Sequence, residues 1–349
     1  MARPGIKWIT LLIVLLMTEP TQARAQQVTI FYTNDIESVY DPVPAFWLED
    51  VNEIGGLAKL ATLIEQKRQQ APINFLLDAG DIFTGSLSKA TQGRLVFDLY
   101  NEIGFDAVNL GNHEFEYGWS VLRKVMQRAR FPVLNANIFY AGTDIPIARQ
   151  YSILEQQGVR IGVLGVMGED AFINTMMKAN RQGLEIRDPL ASAQLWVDEL
   201  SAQVDMMVLL THQGKTAPMQ TDKEADPEVQ RGIADDYQLA GAIHGVDLIV
   251  SGHSDNGLWQ PVIHPDTGTV IVQTFGQGKQ LGIARFELSD SVRPKLVSAE
   301  LVPVVADSLV DHAGVAALIA GARAAYPSLM EVVGHLDRAA VRRYYRESS

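Results

Sequence analysis

The amino-acid sequence predicts a layered α/β protein. Three observations lead there. Short apolar runs rich in Val, Ile, Leu and Phe alternate with helix-like stretches, as in sheets covered by helices. A hydrophobic content of 47% with 20% charged residues over 349 residues is that of a packed globular chain. Finally, several apolar runs end, on their C-terminal side, in a residue able to hold a metal or move a proton.

Taken in order, the runs that read as buried strands are QVTIFYT (27–33), INFLLDAG (73–80), AVNLG (107–111), VRIGVLGVM (159–167), DMMVLLTH (205–212) and DLIVSGH (247–253). Between them, helical periodicity predicts helices over 56–70, 94–103, 120–130, 190–203 and 229–244. After residue 271 the glycine-punctuated IVQTFGQGKQLGIARFEL and then SVRPKLVSAELVPV predict a terminal meander. An Ala-rich stretch over 311–331 predicts a further helix.

The first 25 residues carry Arg3 and Lys7, an apolar run over 8–17, and ARA at 23–25. That is the layout of a cleavable export signal, and the run is too short to span a bilayer. The expectation is a periplasmic or secreted protein with no stable membrane insertion after cleavage. The whole chain has a formal charge of −12. Removing residues 1–25 takes away Arg3, Lys7, Arg24 and Glu19, so the remainder is still more acidic. Such a charge disfavours nucleic acid and anionic lipid as partners. There is no cysteine. Disulfides and thiolate metal sites are excluded, and a metal has to be held by His, Asp, Glu or Asn.

The polar run-ends are Asp35 and Glu37 in TNDIES, Asp81 in DAGDIF, Asn112 and His113 in GNHE, His212 in THQG, and His253 with Asp255 in GHSD. Strand C-termini share one edge of a layered α/β fold, so these side chains can converge. The remaining histidines, His244, His264, His312 and His335, stand in ordinary contexts and read as surface or satisfied residues. Any one of these fragments alone is usually a solvated loop or a turn. Together they form the ligand inventory of a two-metal centre bound through oxygen and nitrogen. Two cations about 3.5–4 Å apart offset the negative charge of a phosphoester and of its nucleophile.

The ordered blocks FYTNDIES, DAGDIFTGS, LGNHEFEYG, the His of THQG, and SGHSDNG resemble the calcineurin-like metallophosphoesterases, over roughly residues 27–303. More closely, they resemble the N-terminal catalytic domain of the bacterial 5′-nucleotidase and UDP-sugar hydrolase branch. The resemblance implies a four-layer α/β/β/α sandwich with a dimetal site at the strand edges. It implies a first metal on Asp35, Glu37, Asp81 and Asp255. A second would lie on Asp81, Asn112, His212 and His253, with Asp81 as the bridge. His113 would face the scissile phosphate, with Glu116 orienting its imidazole. Glu114 and Tyr117 read as structural partners.

Three positions depart from the family pattern. Glu37 replaces the usual His, Asp255 replaces a His, Gln or Asn, and Glu116 replaces an Asp. The first two make one site wholly carboxylate, which favours harder ions such as Mn²⁺, Mg²⁺ or Ca²⁺. Whether Glu37 binds directly, through water, or points to solvent stays open at this point.

The resemblance implies a hydrolase of small phosphoesters or nucleotides, dependent on two divalent ions among Mn, Mg, Co or Zn. Attack on phosphorus would be in line, by a hydroxide formed at the metals. A UDP-sugar diphosphatase or cyclic phosphodiesterase would use the same site. A catalytically silent metal-binding protein is the rival of another class. The implied organisation is a signal over 1–25, a catalytic domain over 26–305, a linker helix over 306–335, and the start of a truncated C-terminal domain over 336–349. The last rests on RYYRESS, whose Arg343, Arg346, Glu347 and Ser348 stand in the neighbourhood of the R-x-x-E-[ST] opening of that domain.

Overall fold

The computed structural model describes residues 26–214, 232–289 and 292–331. Two six-stranded sheets carry the fold. The strands of the first lie in the order Val292–Pro303, Gln280–Ser289, Gln26–Thr33, Asn74–Asp78, Ala107–Asn109 and Val133–Leu134. The second runs Val262–Ile263, Val270–Val272, Leu248–Gly252, Met206–His212, Val159–Met167 and Tyr151–Gln156. In each sheet the strands that lead into the site are parallel to one another. Their C-terminal ends therefore share an edge.

Period-two alternation decides which layer each residue joins. Val28, Ile30 and Tyr32 of the first strand meet Phe75, Leu77, Val163, Val208, Leu210 and Val250 in a core between the sheets. Their neighbours Phe31, Leu76 and Val108 face the other way, under the helices Leu57–Arg68, Arg94–Ile103 and Ala313–Ala325. On the second sheet Leu164, Leu209 and Ile249 face outward against Pro189–Leu200 and Ala234–Ala242. The layers are α/β/β/α. Runs buried on both faces explain why these strands read as continuous apolar segments. Truncating a fully buried residue such as Leu77 or Leu209 to Ala costs about 2–5 kcal/mol.

The predicted helix over 120–130 is instead Trp119–Val125 followed by a 3₁₀ turn, Met126–Arg128. The Ala-rich helix is Ala313–Ala325, with His312 accepting the Val315 N–H at its start and a 3₁₀ turn, Pro327–Met330, after it. Its Val315 and Ile319 are buried in the helical layer. The meander appears as the antiparallel pair Gln280–Ser289 and Val292–Pro303. Tyr151–Gln156, an edge strand of half-buried residues, and the short helices Gly85–Thr91 and Glu169–Asn174 are additional to the sequence reading. The expected export signal, residues 229–231 of one predicted helix, His335 and RYYRESS lie outside the described residues. Among the described residues no helix is long and apolar enough to cross a membrane.

Candidate metal centre

All nine residues singled out for the site sit at the shared edge, His212 as the last residue of its strand, His113 at the start of a 3₁₀ turn and the others in the loops. The loop after Thr33 is stitched to the loop after Asp78 by main chain. The Asp35 N–H donates to Gly80 O at 2.9 Å, and the Glu37 N–H to Asp81 O at 2.9 Å. Five of the nine have left-handed backbone: Asp35 (φ 50°), Glu37 (50°), Asp81 (58°), His253 (81°) and Asp255 (56°). Each such residue costs about 1–3 kcal/mol and persists only where its surroundings over-determine it. Concentrated at one edge, the strain aims side chains that a regular strand end would send to alternate faces.

The donor atoms of Asp81, His212 and His253 all lie within 4.8 Å of one another, and all three residues are buried. His212 Nδ1 lies 3.1 Å from the Ala79 carbonyl, which only accepts, so Nδ1 carries the proton of that bond. Nε2 is then turned toward Asp81 Oδ2 at 3.1 Å and Asn112 Oδ1 at 3.1 Å. A lone pair and two oxygens at that distance need a cation among them, either a proton or a metal. The His253 ring is 5.0 Å from that of His212, centroid to centroid. Gly111 leaves no room for a side chain: a Cβ there would stand 2.3 Å from Asp81 Oδ1 and 2.7 Å from His212 Cε1.

Asp35 bridges the sheets, its two carboxylate oxygens accepting the His253 N–H at 2.9 and 3.0 Å. Asp255 stands beside it. A Cβ on Gly276 would be 3.2 Å from Asp255 Oδ1 and 3.1 Å from Asp35 O. The Glu37 side chain is buried and accepts from Gln277 Nε2 at 3.3 Å, so the solvent-facing alternative does not occur.

The sequence of residues 28–256 matches the calcineurin-like phosphoesterase family. The chain belongs to that family. It is 32% identical over 306 residues to a 5′-nucleotidase of Vibrio cholerae, covering 80% of this chain and 52% of that one. It is 31% identical over 308 residues to protein UshA of Yersinia enterocolitica, with 80% and 52% covered. The fold superposes on a 5′-nucleotidase precursor of Thermus thermophilus with a TM-score of 0.74 at 23% identity, covering 88% of this chain and 60% of that one. The chain spans about half the length of the curated relatives it matches.

In this phosphoesterase the charges are arranged as a metal centre requires. Burial pushes the Asp35 carboxyl well above the usual range, and neighbouring Asp255 and Asp81 push the same way. Burial also opposes ionisation of Asp81, but His212 and His113 outweigh it and hold that carboxyl well below the usual range. Burial, reinforced by His212, lowers His253 to about 3 and keeps it neutral, the form in which imidazole is a ligand. Burial would lower His212 too, yet Asp81 lifts it to about 9. Buried carboxylates crowded around Asp35, with a neutral imidazole beside them, are a donor set that a divalent cation fits.

His113 is different in kind. Its N–H donates to Asp81 Oδ1 at 2.7 Å, and its ring Nδ1 is 3.1 Å from Glu116 Oε2. Nε2 lies 3.7 Å from Glu37 Oε1, and the side chain is 30% exposed where the neighbouring donors are buried. Burial lowers its pKa, but Asp81, Glu116 and Glu37 outweigh burial and raise it to about 10. Thr84 Oγ1 donates to the same Glu116 oxygen and steadies it. Tyr117, read as a structural partner, donates to Gly85 O and stacks on Phe83. Glu114, read the same way, is fully enclosed beneath the Asp81 turn, a placement that residue type and spacing do not signal.

Proposed function

We propose that this phosphoesterase hydrolyses small phosphoesters of the 5′-nucleotide kind with two divalent ions. The observation that carries the reading is the Nε2 of His212 facing the oxygens of Asp81 and Asn112, with His253 beside it. Asp81, Asn112, His212 and His253 would hold one ion, and Asp35, Glu37, Asp81 and Asp255 the other. Bound there, the ions supply neutralising charge and a more acidic water.

The remaining work falls to the chain. Glu116 accepts from His113 Nδ1 and fixes the ring, leaving Nε2 to donate to the departing oxygen of the substrate. The partial exposure of His113 gives that oxygen a way in. A protein that only stored metal would need neither this dyad nor its opening, which argues against the silent rival. The leader-like residues 1–25 support action in the periplasm or outside the cell.

The test is metal dependence. Hydrolysis of an aryl phosphate and of a panel of 5′-nucleotides should cease in excess chelator and return with Mn²⁺ or Co²⁺. Full activity under chelation would overturn the reading.

A further inference from the structure

Two buried carboxylates outside the proposed ligand set hold the turn that presents Asp81. Asp78 accepts the Gly80 N–H on Oδ1 at 2.8 Å, while Thr33 Oγ1 and Tyr100 Oη donate to its other oxygen. Glu114, 1% exposed, accepts the Asp81 N–H on Oε2 at 3.0 Å and the Ile82 N–H on Oε1 at 2.7 Å. Its Oε2 also accepts the N–H of Gly111. Three consecutive amides, 80 to 82, thus end on side-chain carboxylates.

Those amides have no other recourse. Gly80 (φ 105°) and Asp81 (φ 58°) have left the extended backbone of a sheet ladder, and burial keeps water away. Unmet buried N–H groups are costly. A carboxylate has two oxygens, about four acceptor positions and no donor, so it alone among side chains of this size can take three amides at once. An amide or apolar group in its place would avoid the cost of a buried charge, which together with Asp81 raises Glu114 to about 7. Neither would satisfy the turn.

The geometry has a second effect. Because Glu114 binds Gly111 as well as Asp81 and Ile82, a single side chain ties the turn before Asn112 to the turn that carries Asp81. Asp81 and Asn112 supply the two oxygens that His212 Nε2 faces. We infer that Glu114, backed by Asp78, is a positioning residue of the metal centre: it sets the Asp81 carboxylate against Asn112 and His212 without itself touching ion or substrate. This rests on the two-ion reading above.

The test uses Glu114→Gln in the full chain, which keeps volume and turns one acceptor oxygen into a donor. Mn²⁺ binding by calorimetry should weaken by roughly 10–100-fold, the usual effect of losing a partner that orients a ligand. At low Mn²⁺ the rate should fall, and at Mn²⁺ above the new Kd it should return toward that of the unmodified protein, with KM for an aryl phosphate unchanged. A lower Tm with unchanged Mn²⁺ affinity and unchanged metal dependence of the rate marks a merely structural role and overturns the inference. Glu114→Asp, which keeps the charge and draws it back by one methylene, is read by the same measurements should the Gln variant not fold. Failure of the unmodified protein to bind Mn²⁺ would remove the two-ion reading and this inference with it. Normal binding by both proteins would remove the inference alone.

Discussion

On the first-sheet side of the candidate metal centre, the loops after Thr33 and Asp78 are bound to each other through main chain, and carboxylates that accept main-chain amides tie in the loop after Asn109. Asp35 and Glu37 donate to Gly80 and Asp81, and Glu114 gathers amides from two turns. The second-sheet side is built otherwise. His212 reaches across to Ala79 O through Nδ1, and the His253 N–H reaches across to Asp35. Its own buried acid, Asp236, accepts from the side chains of Gln213, next to His212, and Ser251, two residues before His253. One half is a preformed backbone lattice, and the other is docked onto it. The difference teaches that a change at Asp81, or in the bonds that hold its turn, disturbs both proposed ion sites, whereas one at a second-sheet histidine stays local.

The strongest test of that asymmetry pairs Asp81→Ala with His253→Ala. Asp81→Ala should lose both ions and bring hydrolysis to background. His253→Ala should lose one ion by metal analysis and keep a measurable rate at high Mn²⁺. Equal loss in the two variants would break the comparison.

Next in size is His113→Ala. It should reduce kcat by roughly 10²–10⁴-fold, the usual worth of a positioned acid or base, while metal content stays that of the unmodified protein. Loss of metal would make His113 a ligand instead. On the proposed roles Glu116 works only by holding His113, so the double variant with Glu116→Gln should be little worse than His113→Ala alone.

Glu37 sharpens the comparison within the first-sheet side. Glu37→Ala should weaken one ion site and spare the other, giving one weak and one tight step in a Mn²⁺ titration. Glu37→His should keep both ions and move preference toward Zn²⁺ or Co²⁺, because imidazole is a softer, neutral ligand. Unchanged stoichiometry and preference in both variants would show that Glu37 is not a ligand.

Asp236 offers the smallest effect, on stability. Burial raises its pKa to about 6, against the bonds from Ser251 and Gln213. Its folded pKa thus lies above its unfolded value, so the folded state binds more protons between about pH 4 and pH 6. The contribution of this group is fully present below that window and is lost as pH rises through it. Asp236→Asn should flatten this part of the stability profile in denaturant titrations. The Mn²⁺ affinity of the first-sheet ligands should stay unchanged.

Much of this was legible in the sequence. Strands buried on both faces announce themselves as apolar runs, and the proposed ligands follow their ends, so Asp35, Asp81, His212 and His253 could be placed on one edge before any coordinates. Tyr151–Gln156 escaped because an edge strand of half-buried residues has no such run. Asp78 escaped because an acid closing an apolar segment looks like an ordinary strand end. Glu114 escaped for a deeper reason. Its partners are backbone amides at 81, 82 and 111, which every sequence possesses, and only the fold decides which of them lack a ladder.

The order of strands also bears on the order of events in synthesis. Gln26–Thr33 lies between Asn74–Asp78, made soon after it, and Gln280–Ser289, made after every other strand of the two sheets except Val292–Pro303. Throughout that interval one margin of the earliest strand has no permanent neighbour, and the loop bearing Asp35 hangs from it. A growing chain of this topology cannot close its first sheet by local folding alone, because the closing segment arrives from more than two hundred residues away. Late closure keeps a nascent polypeptide of this topology open until its last strands have been made.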